Sequence, residues 1–440
     1  MPPVLPLPAL PGDGPLLVGF SGGLDSTALL HALAHTPQAR MRGLSAIHVH
    51  HGLQTAADGW ATHCAAVCDA LGLQCEIVRV HVVPDGRGLE AAARDARHAA
   101  FARHLPDGGL LVLAHHRDDQ AETVLLRALR ASGPEGLAAM RPLRSFAAGQ
   151  LWRPLLALPR ARLLAYAQAH HLHWIEDASN AGDDADRNFL RNRVLPLLRT
   201  RWPQADAALA GVAALQADAG DLLDPGDAEA LAQARTLDPA VLRLDALRRL
   251  PPARRARVLR RWCAALGLPP LPAQALAWCE HDLASGQPDR QPCFDWAGHR
   301  LQRWRELLHA GPVRAPLDRV FSDMWDGRAP LCLPDGGVLA FEGVLDEAGP
   351  WRVQARRGGE RIRLPGRDHT HALKHVLQSL AIPPWLRAHL PLLVDASGRL
   401  AAAGDLVFDA GFDAWLRSGH RRLRWWPPGT TASALHAPML

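Results

Sequence analysis

Apolar and polar positions fall in alternating blocks over the first third of the chain. Residues 15–20, 43–50, 74–80 and 110–115 are short apolar runs, too continuous for strands with one wet face. They predict strands buried on both sides. Between them, residues 24–35, about 54–71, 89–104 and 118–130 repeat apolar side chains at helical spacing. Strand and helix in regular alternation predict an α/β fold, a parallel doubly wound sheet of Rossmann-like type with right-handed crossovers. Ligands of such sheets bind beyond the carboxyl ends of the strands. Three polar clusters fall at that edge: residues 21–26, 48–51 and 115–122.

The pattern changes beyond residue 200. Residues 200–310 read as mostly helical, with Ala, Leu and Arg broken by Pro203, Pro225, Pro239, Pro251 and Pro252. Residues 311–350 are punctuated by proline and glycine and predict a link. A small α+β module follows over about 351–425, with strands near 361–364 and 399–402 and a helix near 372–380. No fixed-period repeat is present. A length of 440 residues suits roughly three domains at ~150 residues each. The boundaries expected are 1–200 for a catalytic domain, 201–315 for a helical domain and 350–425 for the C-terminal domain.

Hydrophobic residues are 48% of the chain and charged residues 21%, enough apolar surface for large cores and too little charge for disorder. Lys+Arg 49 against Asp+Glu 44 leaves +5, which permits an anionic partner without demanding one. Lys374 is the single lysine, so arginine supplies the other 48 basic residues. A glycine-rich loop here therefore lacks the lysine of a Walker-type phosphate site. Phosphate must be met by main-chain N–H groups, arginine or metal.

The seven cysteines contain no C-x-x-C pair, which removes the usual spacing of zinc ribbons, thioredoxin-like sites and cysteine-held iron–sulfur clusters. His63, Cys64 and Cys68 share a helical face, which suits either a metal or, in a reducing compartment, buried thiols. Residues 1–20 carry no positive charge ahead of their apolar run, unlike a secretory signal. No stretch approaches the ~18 apolar residues of a membrane span. The expectation is a cytoplasmic protein with no membrane contact and no implied protein partner.

Ser21-Gly22-Gly23-Leu24-Asp25-Ser26 follows the first strand and opens the first helix. Two glycines allow positive φ and close approach of phosphate to the main chain. Successive N–H groups at a helix N-terminus make an anion nest, strengthened by the helix dipole. A carboxylate such as Asp25 belongs beside a polyphosphate if Mg²⁺ lies between them. The alternative is a tight turn with Asp25 as an N-terminal charge.

His48-Val49-His50-His51-Gly52 closes the second strand, beside that loop. It suits contact with adenosine, and equally suits strand-end histidines satisfied within the fold. His115-His116-Arg117-Asp118-Asp119-Gln120-Ala121-Glu122 closes the fourth strand. Asp119 and Glu122, three apart, share a helix face and also match a capping box. Two carboxylates there suit an ammonium group or Mg²⁺. An amine nucleophile, with a free value near ~10.4, must lose a proton, which a carboxylate can accept. Arg187 and Arg191 lie one helical turn apart in Asp186-Arg187-Asn188-Phe189-Leu190-Arg191-Asn192-Arg193. Such a pair clamps phosphate or developing negative charge, or is a solvated basic face.

The hexapeptide resembles the PP-loop (pyrophosphate-binding) motif of the ATP pyrophosphatases, which cleave ATP between the α- and β-phosphates. The whole set, SGGLDST, AIHVHHG, GLEAAARDAR, LVLAHHRDDQAET, SGPEGLAAM and DASNAGDDADRNFLRNRVLPLL, is similar to the tRNA(Ile)-lysidine synthetase family over most of residues 15–200. The likeness returns at residues 357–360 and 382–387. It implies a ligase forming a carbon–nitrogen bond. ATP adenylates the wobble cytidine of a CAU anticodon, and free L-lysine displaces AMP to give lysidine. By the same resemblance, Ser21, Gly22, Gly23, Leu24, Asp25, Ser26, His48, His50 and His116 bind ATP, with Asp25 on Mg²⁺. Asp119 and Glu122 bind lysine, and Asp25, Asp119 and Arg191 are the catalytic candidates. Glu90, Arg94 and Arg97 match a helix facing the nucleotide pocket. Arg94, Arg97, Arg187, Arg193, Arg357 and Arg387 are candidate contacts to tRNA(Ile). His98 departs from the family, which carries tyrosine there, so any stacking must come from imidazole.

Three rivals remain at this stage. A PP-loop tRNA thiolase with cysteine-held sulfur lacks its paired cysteines here. A synthetase acting on a small metabolite has no use for the long basic region beyond residue 200. A non-catalytic RNA-binding protein has no reason to keep Asp25, Asp119 and Glu122 together.

Overall fold

Four apolar residues, Leu16–Gly19, form strand β1 inside a six-stranded sheet. The computed structural model describes residues 3–54, 56–83, 88–177, 182–285, 292–343 and 349–429, apart from the side chains of residues 90 and 283–285. Two compact units emerge, Met1–Pro225 and Gly226–Leu440.

In the first unit, β1 leads to α1 (Leu24–Ala34), a short α2 (Pro37–Met41) and β2 (Leu44–His50). Then come α3 (Ala57–Ala70), β3 (Gln74–Arg79), α4 (Leu89–His104), β4 (Leu110–Val112) and α5 (Arg117–Leu129). Each of these eight expected elements forms, with ends shifted by at most three residues. The strand order is β3-β2-β1-β4-β6-β5. β1 runs parallel to β2 and β4, with Val18 opposite Ala46 on one side and Val112 on the other. Leu29, Leu30 and Leu33 are fully buried, each worth roughly 1.5–3 kcal/mol of hydrophobic stabilisation. α1 is buried along most of its surface because it lies between the sheet and α7 (Arg160–Ala169), whose Leu163 and Tyr166 share its core.

Past α6 (Pro134–Leu137), an unexpected hairpin appears: β5 (Leu143–Phe146) and β6 (Gly149–Trp152). β6 continues the parallel order against β4, and β5 closes the edge antiparallel. α8 (Asp186–Phe189) runs into a π-helical turn, Leu190–Val194, and then α9 (Leu195–Arg201). α10 (Ala205–Ala234) carries Pro225 in its interior, and the division into units falls there.

The second unit refines one expectation and corrects another. Residues 200–310 are mostly helical, as the pattern predicts, but not wholly so. Beside α11 (Leu244–Arg248), α12 (Pro252–Ala265) and α13 (Ala273–Ser285) stands an antiparallel sheet in the order β7-β10-β9-β8. Its strands are β7 (Val241–Arg243), β8 (Cys293–Trp296), β9 (His299–Trp304) and β10 (Leu307–Pro312). β8 (CFDW) and β9 (HRLQRW) show no clean alternation of apolar and polar residues and so do not stand out from helical surroundings. Their turn at Ala297 and Gly298 takes φ 45° and 76°, as tight hairpins require. Trp262 lies fully buried in the core of this module.

Nor is 311–350 simply a link. β11 (Ser322–Trp325), β12 (Leu331–Cys332) and β13 (Val338–Glu342) belong to sheets completed by β14 (Trp351–Gln354), β17 (Leu392–Val394), β18 (Leu400–Ala403), β19 (Val407–Phe408) and β20 (Arg422–Trp426). β15 (Arg361–Ile362) pairs with β16 (His371–Ala372), and α14 (Leu373–Ser379), α15 (Pro384–Arg387) and α16 (Ala410–Ser418) complete the module. One core runs from Leu317 to Trp425. Among the described residues, no helix is long and apolar enough to cross a membrane.

Candidate active site

The loop after β1 is built by its own small residues. Gly22 takes φ +80°, and a Cβ there would stand 2.7 Å from Ile175 Cδ1 and 3.0 Å from Cys64 Sγ. Both conformation and space therefore demand glycine. The Ile175 N–H donates to the Gly22 carbonyl at 2.9 Å, so the segment after α7 holds the loop from above. Ser26 donates to the Gly23 carbonyl at 3.1 Å and shares a hydrogen bond with Ser21 Oγ at 3.0 Å. Thr27, buried, donates to the Gly22 carbonyl. The loop is thus preset, and the first-turn N–H groups of α1 have no helical acceptor, as an anion nest requires. Leu24 is buried and serves the core.

Asp25 occupies the first turn of α1. Its Oδ2 lies 3.5 Å from His116 Nε2 and its Oδ1 3.6 Å from Arg160 Nε. Oδ1 is buried and makes no hydrogen bond. His116, the N-cap of α5, sits between Asp25 and Asp119, with its Nε2 3.4 Å from Asp119 Oδ2. Burial disfavours charge on His116, but the hydrogen bond to Asp25 and the charges of Asp119, Asp25 and Asp118 outweigh it and raise its pKa. His116 is therefore a link between the loop and the acidic cluster.

That cluster is a buried ion-pair network. Asp119 is 8% exposed and Glu122 1%, too deep for unpaired charge. Asp119 Oδ2 accepts the main-chain N–H of His116 at 2.9 Å, so the capping box is His116 with Asp119 and not Asp119 with Glu122. Its Oδ1 takes Arg187 Nη2 at 3.0 Å and Arg191 Nη2 at 3.3 Å. Glu122 is gripped by Arg187 Nε at 2.6 Å and by Arg191 Nε at 2.6 Å. Burial pushes the Asp119 carboxyl up, yet His116, Arg187 and His115 together hold it below the ordinary aspartate value. The π-helical turn at Leu190–Val194 carries Arg191; such turns recur at functional sites. Arg187 and Arg191 are thus neither a free phosphate clamp nor a solvated face here.

The remaining predicted residues are placed as follows. His48, buried, lies with Nδ1 3.0 Å from the Phe20 carbonyl and 3.3 Å from Cys64 Sγ, and burial lowers its pKa. His50 meets Asp58 at 3.2 Å. Both rings already have partners inside the fold. Arg94 and Arg97 stand on the exposed face of α4. Arg193 pairs with Asp183 at 2.7 Å. Arg357 is exposed, with its Nε on the Arg319 carbonyl. Arg387 turns inward onto the Ile382 and Leu377 carbonyls. Glu90's side chain lies outside the described residues, as do positions 178–181 of the DASNAGDD run. Cys64 and Cys68 are core thiols, and among the described residues no group of three or more His, Cys, Asp or Glu side chains is arranged to hold a metal.

Sequence reasoning missed Arg160, Ile175, His115 and Arg153. Arg160 closes on Asp25, and its N–H donates to Asp118 at 3.0 Å. Arg153 is 5% exposed, with its Nε 3.3 Å from His115 Nδ1. Burial, with Arg144 and Arg94 nearby, pushes its pKa down to about 10. His98, half-buried, is lowered to about 4 by burial and by Arg94 and Arg97. Its ring stands edge-on to Phe146 at 5.8 Å. The only advance signal for Arg160 was Pro159 opening a helix.

A central parallel strand that ends in a glycine turn beside a buried carboxylate oxygen without a hydrogen bond suits an ATP-using PP-loop enzyme, and residues 8–198 match the family described as PP-loop domain. Residues 242–309 match the TilS substrate binding domain, and residues 351–425 the TilS substrate C-terminal domain. A tRNA(Ile)-lysidine synthase of Xylella fastidiosa is 53% identical over 428 residues, 96% of this chain and 97% of its own. One of Xanthomonas axonopodis is 54% identical over 422 residues, 95% of each chain. Among solved structures, the U34-tRNA thiolase NcsA from Methanococcus maripaludis matches 47% of this chain and 72% of its own at 18% identity, TM-score 0.39. The chain belongs to the tRNA(Ile)-lysidine synthase family.

Proposed function

We propose that this enzyme uses ATP to activate the wobble cytidine of the CAU anticodon of tRNA(Ile), then joins free L-lysine to it, releasing pyrophosphate and AMP. The observation that carries the reading is the Asp25 carboxylate at the mouth of the nest, with one oxygen buried and making no hydrogen bond.

Mg²⁺ fits there. Two of the partners beside Asp25 are Arg160 and His116, neither within hydrogen-bond reach of Oδ1. With no three-ligand protein cage among the described residues, a cation would take its other ligands from phosphate and water, as Mg²⁺ commonly does. When bound, it would neutralise charge on the β- and γ-phosphates of ATP. The nest amides orient those phosphates, and Arg160 adds a positive charge beside them.

Asp119 and Glu122 are the anionic pair for lysine's ammonium. Arg187 and Arg191 hold that place now, so lysine must displace guanidinium contacts from both carboxylates. The freed arginines then face charge developing on the leaving AMP, which planar bidentate donors stabilise well. A carboxylate beside the attacking nitrogen accepts the proton given up as the C–N bond forms. Arg94, Arg97 and Arg357 are the exposed candidates for phosphates of the RNA. A tRNA substrate also implies work in the cytoplasm.

The test is incubation with ATP, lysine and tRNA(Ile) bearing CAU, followed by nucleoside mass analysis. The wobble cytidine should gain the mass of one lysine residue, with pyrophosphate release dependent on the tRNA. Unmodified cytidine, or tRNA-independent release, overturns the reading.

A further inference from the structure

The Ile382-Pro383-Pro384-Trp385-Leu386-Arg387 run has no place in the catalytic unit, and Arg387 is turned away from solvent. Its side chains divide by direction. Ile382 and Leu386 pack into the C-terminal core. Trp385 faces the other way, onto the module that holds β9 and β10. Its ring stacks on His309 of β10, with centroids 4.7 Å apart and planes 19° apart. It meets Trp304 of β9 edge-on at 6.2 Å. Trp304 also carries two guanidinium groups, Arg305 at 4.7 Å and Arg387 at 5.6 Å from its ring centroid. Arg305 reaches across to the Gln378 carbonyl at 3.3 Å.

None of Trp385, Trp304 and His309 belongs to either flanking core; they lie between two modules that each have their own. Arg305 sits in the two-residue turn between β9 and β10 at φ 52°. Non-glycine residues rarely take that conformation, and where they do, the surroundings impose it. Its contacts on both Trp304 and Gln378 supply such surroundings. Stacked aromatics and arginine are the side chains that concentrate binding energy at interfaces. Burial keeps His309 neutral, with its pKa pushed down to about 4, so its ring stacks without a charge to solvate.

We propose that Trp385, clasped by His309 and Trp304, locks the C-terminal module to the β9–β10 hairpin as one rigid arm, and that Trp385 and Arg387 thereby position the RNA without touching it. The second half of this statement rests on the tRNA reading above; the first does not.

The chain supplies its own probes. Cys293 on β8 and Cys332 on β12 are exposed, one on each module, while Cys64, Cys68, Cys263 and Cys279 are buried. With Cys75→Ser in the full-length protein, spin labels on Cys293 and Cys332 report the distance between modules. A narrow distribution is expected. Trp385→Ala and His309→Ala should each broaden it, and His309→Phe should keep it narrow. An unchanged width in both alanine variants overturns the clasp. In the same alanine variants the KM for tRNA(Ile) should rise about tenfold, the loss of one good interface contact, with kcat at saturating tRNA within about twofold. A broadened distribution with unchanged KM overturns the positioning role. A wild-type enzyme that makes no lysidine overturns the functional reading, and the spin labels still decide the clasp.

Discussion

At the tip of β1 the candidate site is built from main chain, whereas at the start of α5 it is built from paired side chains. The loop of residues 21–26 needs glycine at position 22, where a Cβ would strike Ile175 and Cys64. Its donors are amides fixed by the turn. The α5 cluster instead gathers Asp119, Glu122, Arg187 and Arg191, whose partners lie 65 to 72 residues apart in sequence. A main-chain site is rigid once its turn is set. A side-chain site can exchange partners, because an ammonium, with three donors, can take over part of the guanidinium contacts to Asp119 and Glu122. The two halves therefore suit different ligands: a polyphosphate that must be held still, and a small amine that must enter and react.

The largest expected effect falls on the fixed half. Asp25→Ala should lower pyrophosphate release by about 10³-fold, the scale of losing one preorganised electrostatic contact, with tRNA affinity within about twofold. Filter binding beside a pyrophosphate assay checks this. Parallel loss of binding and activity would show that Asp25 supports the fold and not the metal. Gly22→Ala tests the same half through its backbone. Strain at φ +80° and the crowding of Ile175 together should destabilise the first unit by about 2 kcal/mol and weaken ATP binding. Wild-type nucleotide affinity in that variant would mean the loop is not the nest.

On the exchangeable half, Glu122→Gln should raise the KM for lysine about 30-fold, since hydrogen bonds to charged groups are worth ~1.5–3 kcal/mol. The burst of pyrophosphate from adenylation should stay within about threefold of wild type. An equal fall in both steps would place Glu122 in the first reaction and erase the contrast between the halves.

The contrast also sets what the sequence disclosed. A main-chain site is contiguous, so residues 21–26 could be singled out from six letters, and the strands and helices around them followed from periodicity. The ion-pair network could not, because DDQAE and DRNFLRN give no sign that they face each other. Each looked like a site with its own ligand. The short strands failed for a related reason. β5, β8, β11 and β12 span four residues or fewer, and their pairing is set by tertiary contacts, not by a local period. His48 and His50 hide contacts of another kind: they sit at the ligand edge, where Phe20, Cys64 and Asp58 already engage them.

The smallest expected effect concerns α4, the helix whose exposed arginines flank the site, and it asks whether that wall already carries strain before RNA arrives. His98 is held near a pKa of about 4 by burial and by Arg94 and Arg97. An unfolded histidine titrates near ~6.5. Above pH 6.5 neither state binds the proton, and the imidazole costs no stability. As pH falls from 6.5 toward 4, the unfolded state takes up a proton that the native state refuses, so stability is lost across that window. Discounted for the half-exposed position of His98, the loss by pH 5 should be about 1 kcal/mol. His98→Tyr removes the titration and keeps an aromatic ring against Phe146. Hydrogen exchange of the α4 amides, corrected for the intrinsic pH dependence of exchange, should show protection falling between pH 6.5 and 5 in the wild type and holding steadier in His98→Tyr. Parallel profiles would mean that the arginines of α4 are spaced without strain, and that their charge is as well accommodated in the free enzyme as the paired charges around Asp119.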